Sequence, residues 1–306
     1  MRVLVTGGAG FIGSHLCEFL SKRHEVWCLD NLLTGSRDNI AGLDVNFVRH
    51  DITRAPPRGI PAPQLIFHLA SPASPRDYQA RPIETLLANA LGTKHILDYA
   101  LACDARVLHA STSEVYGDPL QHPQTESYWG NVNPIGPRSC YDEGKRFAEA
   151  LCMAYHRQRG ADVVIARIFN TYGPRMRPDD GRVVPNLIVQ ALAGQPLTIY
   201  GSGRQTRSFC YIQDMVEGLV RLAFSNLSGD VFNIGNPKEH SILELAKIIL
   251  AETGSKSKIV FRPLPIDDPR RRRPDITKIA RAIGWRPVTP LRAGLRATIA
   301  WFKERM

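Results

Sequence analysis

Tyr141 and Lys145 stand four residues apart in a stretch, 138–159, that reads as a long helix, so both side chains fall on one helix face. A tyrosine next to an ammonium is a base for deprotonating a hydroxyl. The cation favours the phenolate and is expected to pull the phenol down from about 10 towards working pH. Upstream, the apolar run 106–110 ends in Ser111-Thr112-Ser113-Glu114, three hydroxyls and a carboxylate at the end of a predicted strand. In an open α/β sheet that edge is where ligands bind. A third group opens the chain: Gly7, Gly10 and Gly13 are spaced G-x-x-G-x-x-G between the apolar run Val3-Leu4-Val5 and an amphipathic stretch over 11–23. These glycines would give a tight turn, a close backbone approach to a pyrophosphate and close helix packing, with the helix N-terminus aimed at the phosphate.

These groups need strands and helices to hold them in register. A second apolar strand, 25–29, ends in Asp30, roughly 20 positions after the glycines, where a carboxylate accepts ribose hydroxyls and repels a 2′-phosphate. The cofactor predicted is therefore NAD rather than NADP. Asn31, Thr34 and Gly35 form the loop expected on its adenosine side, and Asp51 and Ile52 follow a third strand at 45–48 as an adenine contact. The near-continuous apolar run 65–70 reads as a strand covered on both faces. Its end, Leu69-Ala70-Ser71, would lie at the cofactor, while mid-strand His68 is expected to be a satisfied core histidine. Helical periodicity over 83–103 carries one polar exception, Asn89, expected to fix a water or a backbone carbonyl. Alternating strands and helices predict an α/β fold with a doubly wound parallel sheet. Residues 1–170 are read as its NAD-binding domain and 171–306 as mainly a smaller substrate domain, with some later segments returning to the first.

A chain of 306 residues can bury a full α/β core. No window approaches the length of a membrane span, and a strand begins at Arg2, so a cytoplasmic protein without a membrane association is expected. Six scattered cysteines without a C-x-x-C pair indicate neither metal nor redox motif and read as reduced thiols. A formal charge of +10 and the run Arg270 to Arg273 invite a nucleic-acid reading. No aromatic platform or recognition-helix pattern accompanies them, so no nucleic-acid partner is expected, and a small anionic substrate explains some of the arginines better.

Through GGAGFIG at 7–13, Asp30, the Tyr141/Lys145 pair and Arg167-Ile168-Phe169-Asn170-Thr171-Tyr172-Gly173-Pro174, the sequence resembles the extended short-chain dehydrogenase/reductase superfamily, which carries a Rossmann sheet. Through 68–75, 111–118, 133–138 and the stretch Asp267-Asp268-Pro269 to Asp275, it resembles within that superfamily the UDP-glucuronate decarboxylase family. The resemblance implies NAD-dependent oxidation at C4 of UDP-glucuronate, loss of CO₂ from the 4-keto acid and re-reduction to UDP-xylose. It makes Tyr141 the base and Lys145 the partner of the nicotinamide ribose. Thr112 positions the reacting oxygen, and Glu114 acts near C4–C5. Phe11 and Ile12 join the glycines at the cofactor. Ser113 and Asn170 are implied near the sugar nucleotide, Val184 and Tyr200 around uracil, Arg207 on the diphosphate, and Arg272 on either the carboxylate or the diphosphate. A homodimer through the 83–103 and 138–159 helices is also implied.

Ser113 stands where related 4,6-dehydratases have an aspartate acid, and Glu114 argues against a 4-epimerase. The alternatives carried forward are a nucleotide-sugar 4-epimerase, an oxidative decarboxylase stopping at the UDP-4-keto-pentose, and a non-catalytic NAD-binding scaffold. The last has no need of Thr112, Tyr141 and Lys145 together.

Overall fold

A computed structural model describes every residue except Ile266, Asp268 and Arg270. Asp268 of the family-like stretch and Arg270 of the arginine run therefore lie outside the described residues. The chain opens with β1 (Arg2–Thr6), α1 (Phe11–Ser21), β2 (Glu25–Asp30), β3 (Asn46–Arg49) and β4 (Leu65–His68). It continues with α2 (Pro75–Ala80), α3 (Pro82–Leu87), α4 (Thr93–Cys103), β5 (Arg106–Thr112), α5 (Ser139–Arg159) and β6 (Val163–Ile168). Next come β7 (Thr171–Tyr172), α6 (Val183–Leu192), β8 (Leu197–Tyr200), β9 (Thr206–Ser208), β10 (Cys210–Tyr211), α7 (Ile212–Ala223) and β11 (Asp230–Ile234). The last are β12 (Glu239–Ser241), α8 (Ile242–Thr253), β13 (Ile259–Arg262), β14 (Arg271–Arg272), α9 (Thr277–Ile283) and α10 (Leu291–Lys303).

Seven strands form one sheet in the order β11-β6-β5-β4-β1-β2-β3, and every pairing in it is parallel. The order reverses beside β1, so the ends of β1 and β4 diverge and leave a crevice at the carboxyl edge. Apolar strands suit this position because helices cover both faces. Val3, Leu4, Val5, Ile66 and Phe67 are fully buried. The late strand β11 extends the sheet next to β6, so the chain returns to the first unit after residue 171.

The predicted 83–103 helix is not one helix. It begins with α3 and passes through a π-turn at Ala88–Gly92 before α4. Asn89 occupies the widened turn and donates to the Thr85 carbonyl (2.9 Å) and the Ser71 hydroxyl (3.0 Å). Gly144 of α5 lies so close to it that a Cβ would come 3.3 Å from Asn89 Cβ. Three-residue strands β9 and β12 with β14 form a small separate sheet in which Arg272 registers beside Arg207. All six cysteines are free thiols.

Candidate active site

A cavity of ≈ 400 Å³ runs along the carboxyl edge of the large sheet from the glycine loop to Tyr141. At one end, Gly7 has φ +71° and its N–H donates to the Leu29 carbonyl (2.7 Å). A Cβ on Gly13 would overlap the Gly7 carbonyl, so the loop folds onto α1 only because residue 13 has no side chain. No side chain caps α1. Its first-turn N–H groups lack intrahelical partners, and Gly10, Phe11, Ile12 and Gly13 all line the cavity. Asp30 closes β2 with its carboxylate accepting from Leu32 N–H (2.8 Å) and Ala9 N–H (3.0 Å). Burial raises its pKa and those two amides oppose the rise. Asn31, Thr34, Asp51, Ile52, Leu69, Ala70 and Ser71 line the same walls, whereas Gly35 lies behind them against Ala9. An uncapped helix start, a glycine cradle and an acidic strand end fit a dinucleotide pyrophosphate and ribose, and a carboxylate rather than an arginine at the ribose position fits NAD.

At the other end β5 delivers Thr112, Ser113 and Glu114, and α5 delivers Tyr141 and Lys145; all five line the cavity with Asn170. The Thr112 hydroxyl accepts from Glu114 N–H (3.2 Å) and lies near enough to the Tyr141 phenol to favour its ionised form. Tyr78 of α2 stacks on Tyr141 with centroids 5.1 Å apart and planes within 1°, which fixes the phenol's orientation. Burial and then Glu114 push the Tyr141 phenol up to about 12, against Arg182 and Thr112. The expected lowering by Lys145 is thus overturned. Its Nζ sits 5.9 Å from the Tyr141 ring centroid and donates to the Ala110 carbonyl (2.8 Å), and burial pulls its own pKa down to about 8. The cation that does oppose the rise is Arg182, which spacing from Tyr141 could not reveal.

Glu114 is clamped by two guanidiniums, Arg138 Nη2 on Oε2 and Arg272 Nη1 on Oε1 (2.7 Å). Burial alone would raise its pKa, but Arg272 and Arg138 outweigh burial and hold it well below the usual carboxylate range. Asp142, the next residue after the base, takes the opposite course. Burial and then Glu114 push it up to about 8, and its Oδ1 has no hydrogen-bond partner among the described residues. Two adjacent buried carboxyls therefore share one charge. Tyr78 gave no spacing signal in the sequence, because it comes from a separate helix, α2; Asp142 adjoins Tyr141 on α5, but its raised pKa comes from burial and from Glu114, which spacing does not show.

Four expected substrate contacts lie outside the cavity wall. Val184 is buried in the apolar core, Tyr200 is exposed at the end of β8, and Arg207 donates to the Thr206 and Pro269 carbonyls (2.9 and 2.5 Å). Arg272 is only 4% exposed and donates from Nη1 to Glu114, so it reaches the cavity only through that carboxylate. His68 is the satisfied core histidine expected: its ring bonds Thr6 Oγ1 (2.8 Å) and Thr93 Oγ1 (3.2 Å), and burial draws its pKa to about 3.

Residues 3–235 match the model of the NAD dependent epimerase/dehydratase family. The chain belongs to that family. Among curated proteins, it is 53% identical over 310 residues to UDP-glucuronic acid decarboxylase 1 of Danio rerio, covering 100% of this chain and 73% of that one. It is 54% identical over 312 residues to UDP-glucuronic acid decarboxylase 6 of Arabidopsis thaliana, covering 100% and 90%. Among solved structures, a mutant UDP-glucuronic acid 4-epimerase from Bacillus cereus, in complex with UDP-4-deoxy-4-fluoro-glucuronic acid and NAD, superposes with a TM-score of 0.89 at 31% identity over the whole of both chains.

Proposed function

We propose that this protein is an NAD-dependent UDP-glucuronate decarboxylase that forms UDP-xylose by a closed redox cycle. One observation carries the reading: Thr112, Tyr141, Lys145 and an ionised Glu114 gather at one end of a cavity whose other end is a dinucleotide cradle. Identity above half to decarboxylases over the full chain supports it, against the epimerase alternative.

When bound, NAD supplies the hydride acceptor for the sugar alcohol and, once reduced, the donor for the ketone. Tyr141 takes the C4 hydroxyl proton, with the Thr112 hydroxyl favouring its ionised form and Tyr78 fixing its plane. A ketone at C4 makes the substrate a β-keto acid, which loses CO₂ because the resulting carbanion is delocalised into that ketone. Glu114, kept ionised by Arg138 and Arg272, orders the water that reprotonates C5. Lys145, anchored on the Ala110 carbonyl, faces the nicotinamide ribose.

The same reading takes residues 171–306 as the sugar-nucleotide half and the enzyme as a cytosolic homodimer. Support for the dimer comes from α3, the π-turn and α5, where Ile83, Leu87, Leu91 and Phe147 are large apolar side chains left exposed. Product analysis separates the alternatives. CO₂ with UDP-xylose supports the proposal, CO₂ with stoichiometric NADH means an oxidative decarboxylase, and a 4-epimer without CO₂ means an epimerase.

A further inference from the structure

The carboxyl group that the proposed substrate loses is attached to C5, next to the carbon whose hydroxyl must meet Tyr141. It therefore binds beside Glu114, which stands ionised in the cavity wall. Two carboxylates at close range repel, so binding needs a cation that faces the catalytic end of the cavity with a donor left free. Lys145 is turned onto the Ala110 carbonyl. Arg138 and Arg272 are spent on Glu114. Arg175 pairs with Glu18 (2.6 Å) through Nη2; its Nη1 has no hydrogen-bond partner among the described residues, but its charge acts on His15 and Cys17 of α1, at the glycine-loop end. Arg177 lies between Asp77 (3.2 Å) and Asp179 (3.0 Å).

Arg182 is different. It stands at the N-terminus of α6 and lines the cavity, with Nη2 donating to the Ala73 carbonyl (2.9 Å) and Nε at 3.4 Å from Asp180. Those two contacts fix the plane of the guanidinium. Among the described residues, Nη1 makes no hydrogen bond, and 30% of the side chain is exposed. Arg182 lines the same cavity as Tyr141 and Glu114, and its charge favours the Tyr141 phenolate.

We propose that Arg182 is the specificity residue that recognises the C5 carboxylate of the substrate, an inference that rests on the decarboxylase reading above. A guanidinium anchored on one side and open on the other suits a carboxylate, which it meets with directed N–H donors. Its contribution lies in capture and selection. Charge pairing stabilises the carboxylate before the reaction and gives no extra help as the carboxylate departs as neutral CO₂.

The test compares two ligands that differ by this group, UDP-glucuronate and UDP-xylose. Binding of each is measured by calorimetry on NAD-loaded protein carrying Tyr141→Phe to prevent turnover, with and without Arg182→Gln, and with Arg182→Lys. The inference expects R182Q to weaken UDP-glucuronate on the order of ten- to hundredfold while leaving UDP-xylose within about twofold. R182K should fall between, since it keeps the charge but loses the planar fork. UDP-xylose binding also reports that the variants are folded. An equal loss for both ligands would make Arg182 a diphosphate or loop-building residue and overturn the inference, as would no loss for either. The decarboxylase reading fails separately, by absence of CO₂ from the wild-type protein; selective loss of UDP-glucuronate binding would still establish Arg182 as a carboxylate reader.

Discussion

At the scale of single residues, Tyr141 and its neighbours are tuned by burial more than by spacing. Tyr141 carries its proton in the ligand-free protein, because burial and Glu114 both disfavour a phenolate, so it must give up that proton before it can accept the one from the sugar hydroxyl. Tyr141→Phe keeps the ring and the Tyr78 stack but removes the proton acceptor. Turnover should fall by about 10²- to 10⁴-fold, with NAD retained, as measured by product formation and by cofactor content. Undiminished turnover would remove Tyr141 from the reaction. Asp142 carries a stability prediction. Its folded pKa, about 8, lies above the ordinary 3.8, so its contribution to stability is fully present below pH 4 and is lost as pH rises through 8. Asp142→Asn removes that loss. The variant's melting temperature relative to wild type should therefore climb between pH 5 and about 8.5, and a difference that stays flat would show that Asp142 is ionised throughout.

At the scale of elements, the glycine loop with α1, the end of β5 and the start of α5 are the parts that make a site from distant stretches. These parts were legible in the sequence because each rests on a local rule: a steric need for glycine, alternation of strands and helices, or a one-turn helical spacing. Gly13 shows how strict such a rule is. Gly13→Ala places a methyl against the Gly7 carbonyl, and the strand-to-helix turn must open to admit it. Purified G13A protein should carry no bound NAD while circular dichroism shows its helices intact, and full cofactor retention would contradict this account of the cradle. What spacing missed depends on long-range packing. The π-turn at Asn89 breaks a pattern that reads as continuous helix, and the Glu114–Arg138–Arg272 cluster joins the turn after β5, the residue that precedes α5, and β14. A sequence contains the arginines but not which of them are already paired, so Arg272 looked available and Arg182 unremarkable.

At the scale of the whole molecule, the parallel sheet puts cofactor cradle and reactive groups along one edge, and the later strands and helices leave one apolar face uncovered. Ile83 is 68% exposed and Phe147 51%, on helices α3 and α5 that pack together. Burying such side chains contributes about 1.5–3 kcal/mol each, enough for a few of them to hold two copies together. If the proposed dimer forms through this face, Ile83→Glu with Phe147→Glu should shift the protein to a monomer in sedimentation velocity, and an unchanged sedimentation coefficient would contradict the proposed interface. The central claim is that oxidation, loss of CO₂ and reduction take place in one cavity, on one bound cofactor. It is tested most directly with UDP-glucuronate carrying deuterium at C4, followed by NMR. The account predicts UDP-xylose with the deuterium back at C4, CO₂ released in equal amount and no accumulating NADH. Deuterium appearing in free NADH in step with CO₂, or a C4 epimer formed without CO₂, would contradict it.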